Sequence, residues 1–175
     1  MLVMYYALSA IIGPFVGQNF SAAREDRILR ALWLCTAFCI GSGLVIAGLL
    51  ASMSGWLPGL FSDSESVQNV TSMFLWIVPV SYGTYGMVMV MNASFNGLGH
   101  PMPAVYISVG RIVVLYVPLA LVGMHFFDVA GIFAGYAIAN IVSGIGAYIW
   151  ARNTVRSRCA KGGSVEVQPV TETLT

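Results

Sequence analysis

Residues 31–53 run for 23 positions without a charge, residues 70–95 for 26 and residues 129–151 for 23. Residues 104–127 run for 24 with one charge, Arg111. At about 1.5 Å of rise per residue, helices of these lengths reach roughly 34–39 Å. That crosses a hydrocarbon core of about 30 Å with some tilt. Transmembrane strands would need strict alternation over about 10 residues, and none of the runs alternates so. Backbone amides in lipid must be paired, and a helix pairs them within itself. The pattern therefore predicts four full transmembrane helices. A shorter apolar piece, residues 1–16, spans only about 24 Å as a helix and reads as the second half of a helix whose beginning is missing. It lacks a basic n-region and a small-residue cleavage site, so it does not read as a signal peptide.

Composition agrees with the pattern. The chain is 58% hydrophobic and 9% charged, whereas a soluble domain carries about 25% charged residues. The fold class expected is all-α integral membrane. Cys35 and Cys39 share one helix face in an apolar run with no other metal-ligand residue near, and Cys159 lies in a polar tail. They read as packing residues rather than a metal site or a disulfide framework.

Charge placement gives the orientation. Arg24, Arg27 and Arg30 precede the first full span, and Arg152, Arg156, Arg158 and Lys161 follow the last. The intervening connections on the opposite side carry Asp63, Glu65 and Asp128 and no basic residue. The positive-inside rule then places the Arg24 loop, the His100 loop and the C-terminus in the cytoplasm of a multi-pass cell-membrane protein. Trp33, Trp56 and Trp150 fall at proposed span ends, where amphipathic rings settle. Residues 152–175 are polar and aperiodic, and are expected to form a disordered cytoplasmic tail. The basic clusters serve topology, and no nucleic-acid partner is expected.

Small residues recur every four positions at Ala31, Cys35, Cys39, Gly43, Ala47 and Ala51, and again at Gly131, Gly135, Ala139, Ser143 and Ala147. Such stripes let helices approach closely in lipid, whether the neighbour is in the same chain or another. Pro79 and Pro118 each remove a backbone donor within a span; a static kink and a functional break are both open. Ser81, Tyr85, Met89, Asn92 and Asn96 lie near one face of the second full span. They are the candidates for a substrate cavity, with interhelical hydrogen bonding as the alternative. Arg111 is the one ionisable side chain well inside a span, and either snorkels to the cytoplasmic headgroups or serves a polar cavity. No Asp or Glu lies inside a span, and no nucleotide loop, zinc spacing or Ser/His/Asp set is present. An enzyme is not expected, nor a catalytic residue, metal or resident cofactor.

The stretch "PFVGQNFSAAREDRILRA" resembles the loop between helices eight and nine of the multidrug and toxic compound extrusion (MATE) transporters. "ASFNGLGHPMPAVYISVGRIVVLYVPLAL" is similar to their helix ten to eleven connection. The loop residues that carry the first likeness are Gly17, Gln18, Asn19, Arg24, Asp26 and Arg27; Ser21-Ala22-Ala23 stands where the family often has Gly-Ala-Gly. The resemblance implies the end of helix eight through helix twelve of a twelve-helix, two-lobe bundle lacking its N-terminal lobe. It implies exchange of protons or sodium for cationic amphipathic compounds across the bilayer, with the piece inactive alone. Gln18 and Asn19 are expected to cap the end of one helix and bond the next turn. The alternatives are a related lipid-linked oligosaccharide flippase, a small self-associating scaffold or pore subunit, and an inactive remnant.

Overall fold

The computed structural model describes residues 3–162, with side chains to Cys159. All secondary structure among these residues is helical. α1 (Val3–Ser21) and α2 (Glu25–Met53) form an antiparallel pair joined by a tight turn. After a short 3-10 turn (Pro58–Leu60), α3 (Glu65–Ile77) continues through a second 3-10 turn (Val78–Ser81) into α4 (Tyr82–Gly97). α5 (Met102–Val109) passes through a π-helical segment (Gly110–Tyr116) into α6 (Val117–Gly162). α6 is broken at Asp128, whose φ of 50° and ψ of −133° are non-helical. Its arms, 117–127 and 129–162, fold back on each other, with Gly123 against Gly131 and Gly135 against Leu119 and Ala120.

α4 is the hub, packed by α1, α2 and α6. Glycine makes these approaches possible. A Cβ on Gly97 would meet the carbonyl oxygen of Gly13, and one on Gly43 would meet the backbone of Gly83. A Cβ on Gly86 would lie 2.7 Å from the Tyr5 ring. Tyr5 is fully buried and donates to the Cys39 carbonyl at 3.5 Å, tying α1 to α2. Both small-residue stripes are thus used inside the chain: Cys39, Gly43 and Ala47 are buried, as are Gly131, Gly135, Ala139, Ser143 and Ala147.

Four details correct the sequence expectations. Gly17, Gln18 and Asn19 are helical, not loop, because α1 runs on to Ser21 with Gly13 and Gly17 pressed against α4. Asn19 does not cap: its amide donates back to the Phe15 carbonyl at 2.8 Å, and the turn itself is closed by Arg24 N–H to Asn19 O at 2.9 Å. The second full span begins early, at Glu65. Finally, the tail is helical as far as Gly162, because Ala151 and Val155 are fully buried and the Arg158 guanidinium donates to the Leu98 carbonyl. Burial raises the Cys159 thiol pKa there, and Glu25 adds to the shift. The expected disorder of residues 163–175 lies outside the described residues.

Candidate functional site

The two irregular turns meet at one side chain. Pro79 has no N–H and opens the span as a 3-10 turn, which leaves the Ser81 hydroxyl at its end donating to the Val78 carbonyl at 2.9 Å. Pro118 would drive its ring into the carbonyl four residues back, Val114. The π-helical turn ahead of it, closed by Val117 N–H to Ile112 O, gives the wider winding that avoids this clash. Asn140, fully buried on the second arm of α6, bridges the two turns. Its Nδ2 donates to Ser81 Oγ at 3.1 Å and its Oδ1 accepts from Arg111 Nη1 at 2.8 Å.

Arg111 therefore does not snorkel to the headgroups. Its guanidinium carbon lies 4.9 Å from the centre of the Tyr85 ring, a cation–π arrangement. Its Nε–H is buried with no partner. The side chain opens onto a cleft of about 270 Å³ lined by Tyr85, Arg111, Ile112, Tyr116, Tyr136, Ala139 and Asn140. That lining contains a positive charge, three tyrosines and an amide, and no carboxylate. Tyr116 and Tyr136 meet edge to face at 5.6 Å and also wall a neighbouring cleft of about 280 Å³ with Phe74, Tyr82 and Phe133. The two clefts share the tyrosine pair, so a cationic, hydrogen-bonding compartment adjoins an apolar, aromatic one.

The candidate residues from sequence divide. Ser81, Tyr85 and Arg111 come together at Asn140. Asn92 instead donates to Ser108 Oγ at 3.0 Å, locking α4 to α5, as the hydrogen-bonding alternative has it. Met89 is half-buried against the core. Asn96 is exposed beside Gly13 and Gly17 in a groove along α1. The face drawn from sequence runs the length of α4, and its far end, at Asn96, lies beside Gly13 and Gly17 of α1 rather than at the Asn140 cluster. Arg24, Asp26 and Arg27 are exposed at the α1–α2 turn, far from the cleft in sequence and at the end of the bundle. Asn140 and the tyrosines at 116 and 136 escape the sequence reading. The one signal for Asn140 is a lone amide beside Ala139 in a chargeless span.

The chain matches the MatE family over residues 1–122. It is 30% identical over 152 residues to the FAD transporter of Shewanella oneidensis, covering 87% of this chain and 34% of that protein. It is 24% identical over 160 residues to a probable multidrug resistance protein of Bacillus subtilis, covering 85% of this chain and 34% of that protein. The crystal structure of the Vibrio cholerae MATE transporter VcmN in its bent form superposes with a TM-score of 0.85 at 29% identity, over 90% of this chain and 36% of that one. The chain thus spans about a third of the length of these relatives. Its long apolar helices and this kinship make it a multi-pass membrane protein of the transporter class, not an enzyme. With a matched segment covering most of the sequence and the fold shared throughout, the chain belongs to the MatE family of membrane transporters.

Proposed function

We propose that the chain supplies part of the solute-binding lobe of a secondary active exporter, in which protons or sodium ions are exchanged for an aromatic solute. The observation that carries this reading is the Arg111 guanidinium, held between Asn140 and the Tyr85 ring in a cleft without a carboxylate. A charge held inside a span is costly and belongs to a solute or ion pathway unless it is neutralised. Arg111 has a spare donor, lies over the Tyr85 face and shares its cleft with Tyr116 and Tyr136, which suits a flat ring system carrying an acidic group. Flavin adenine dinucleotide has both, and the Shewanella relative is a FAD transporter. The apolar runs 31–53, 70–95, 104–127 and 129–151 contain no Asp or Glu, so in this reading carboxylates outside them bind the coupling ion. The site lies in the cell membrane, with the C-terminus in the cytoplasm.

The cationic amphipathic compounds implied by the family resemblance form a second reading. The aromatic cleft of Phe74, Tyr82, Phe133 and the tyrosine pair favours it, since quadrupolar ring faces attract cations. Arg111 next door opposes it. Fluorescence anisotropy of FAD titrated into the purified chain in nanodiscs tests the first reading. A saturable rise is expected; an anisotropy equal to that with empty nanodiscs would overturn it.

A further inference from the structure

A second arginine site lies at the other end of the bundle, between the start of α2 and the end of α6. Its cleft, of about 340 Å³, is lined by Arg30, Arg152 and Arg156 together with Leu32, Trp33 and Tyr148. No carboxylate is among the lining residues. Three arginines from two helices line one cleft, and an anion bound among like charges relieves their mutual repulsion.

We infer that this cleft holds the headgroup of an anionic phospholipid. Depth supports a lipid over a free anion. Arg30 and Arg152 immediately flank the apolar runs 31–53 and 129–151, which sets them at headgroup level. Leu32, which lines the cleft, is itself essentially buried. The face of α2 leading from Trp33 into the bilayer is apolar and open: Trp33, Ile40 and Leu44, at i, i+7 and i+11, are 58%, 40% and 58% exposed. A phosphodiester would bridge the arginines, bidentate where the guanidinium fork faces it, while its acyl chains lie along Trp33 and Ile40. An aqueous phosphate could use the charges but not this face. Basic pockets between transmembrane helices on the cytoplasmic side suit such lipids. The site is separate from the Arg111 cleft and does not depend on the solute reading.

Native mass spectrometry of the purified chain, released from micelles containing equal phosphatidylglycerol and phosphatidylcholine, tests the inference. The chain is expected to retain phosphatidylglycerol in clear excess. In an R30Q/R152Q/R156Q variant that retention falls by at least about tenfold, since each surface arginine is worth on the order of a fivefold change. An R24Q/R27Q variant, which loses two charges outside the cleft, retains the lipid as before. If the triple variant does not remain monodisperse, R152Q alone is expected to lower retention about fivefold. Equal retention of the two lipids would overturn the proposal, as would an equal loss in R24Q/R27Q. So would displacement of phosphatidylglycerol by glycerol 1-phosphate at comparable concentration, which would mark a free-phosphate site.

Discussion

Asn140 accepts a hydrogen bond from Arg111 at 2.8 Å across the gap between the π-helical segment and the second arm of α6. The same amide donates to Ser81 at 3.1 Å, so one side chain satisfies groups on two irregular turns. Removing it leaves a charge inside a span with one partner fewer. Asn140→Leu is expected to cost about 1.5–3 kcal/mol, the range for a lost hydrogen bond to a charged group. Asn140→Asp should cost less, because a carboxylate accepts from the guanidinium at least as well and only the donation to Ser81 is lost. Arg111→Met combined with Asn140→Leu should recover part of the loss, since both partners are then apolar. Thermal unfolding in detergent reads all three. Additive losses in the double variant would show that the pair is not coupled.

Ala23 adopts a φ of 52°, in the left-handed region. It occupies the last position of Ser21-Ala22-Ala23, where the family often has glycine. A Cβ there costs roughly 1–2 kcal/mol. Ala23→Gly is expected to raise stability by about 1 kcal/mol, the unfolded-chain entropy of glycine offsetting part of the gain. A lower midpoint for the glycine variant would mean that the turn is not strained at Ala23.

Gly135 lies where a Cβ would come within 3.0 Å of the Ala120 nitrogen and the Leu119 carbonyl carbon. Leu121 is 66% exposed. Gly135→Leu should therefore force the two arms of α6 apart, whereas Leu121→Ala loses only outward-facing dispersion contacts. Limited proteolysis in detergent should cut the first variant much faster than wild type and leave the second unchanged. Equal resistance of both would contradict a packed seam.

The long apolar helices and the packing stripes were legible in the sequence, because length without charge and small residues at every fourth position have few other physical causes. Ser81, Tyr85 and Arg111 stood out as polar groups where polarity is costly. Asn140 did not, because its role depends on which helix it faces, and the hairpin at Asp128 decides that. The π-helical turn was equally hidden: Pro118 announces a disturbance, but not that the strain is relieved up to eight residues earlier, at Gly110–Tyr116. Asn96 was grouped with Ser81 because helical periodicity gives the face a residue shares and not the distance along it, and fifteen residues separate the two.

Arg24 and Asp63 are both exposed, near opposite ends of α2. In a variant lacking Cys35, Cys39 and Cys159, Asp63→Cys should react with a membrane-impermeant maleimide in intact cells. Arg24→Cys should react only after permeabilisation, as seven basic residues on its side require. The reverse labelling pattern would overturn the orientation.

The central claim is that Arg111 makes the cleft a site for an anionic aromatic solute. Its most direct test compares the binding of FAD and of a cationic dye such as ethidium to the chain in nanodiscs, before and after Arg111→Gln. The charge of Arg111 should contribute as a charge-assisted hydrogen bond does, on the order of 1.5–3 kcal/mol. FAD binding is therefore expected to weaken by roughly 10- to 150-fold in the variant, while dye binding is unchanged or strengthened. Dye binding that is tighter than that of FAD in the wild-type chain, with neither ligand affected by Arg111→Gln, would contradict the account.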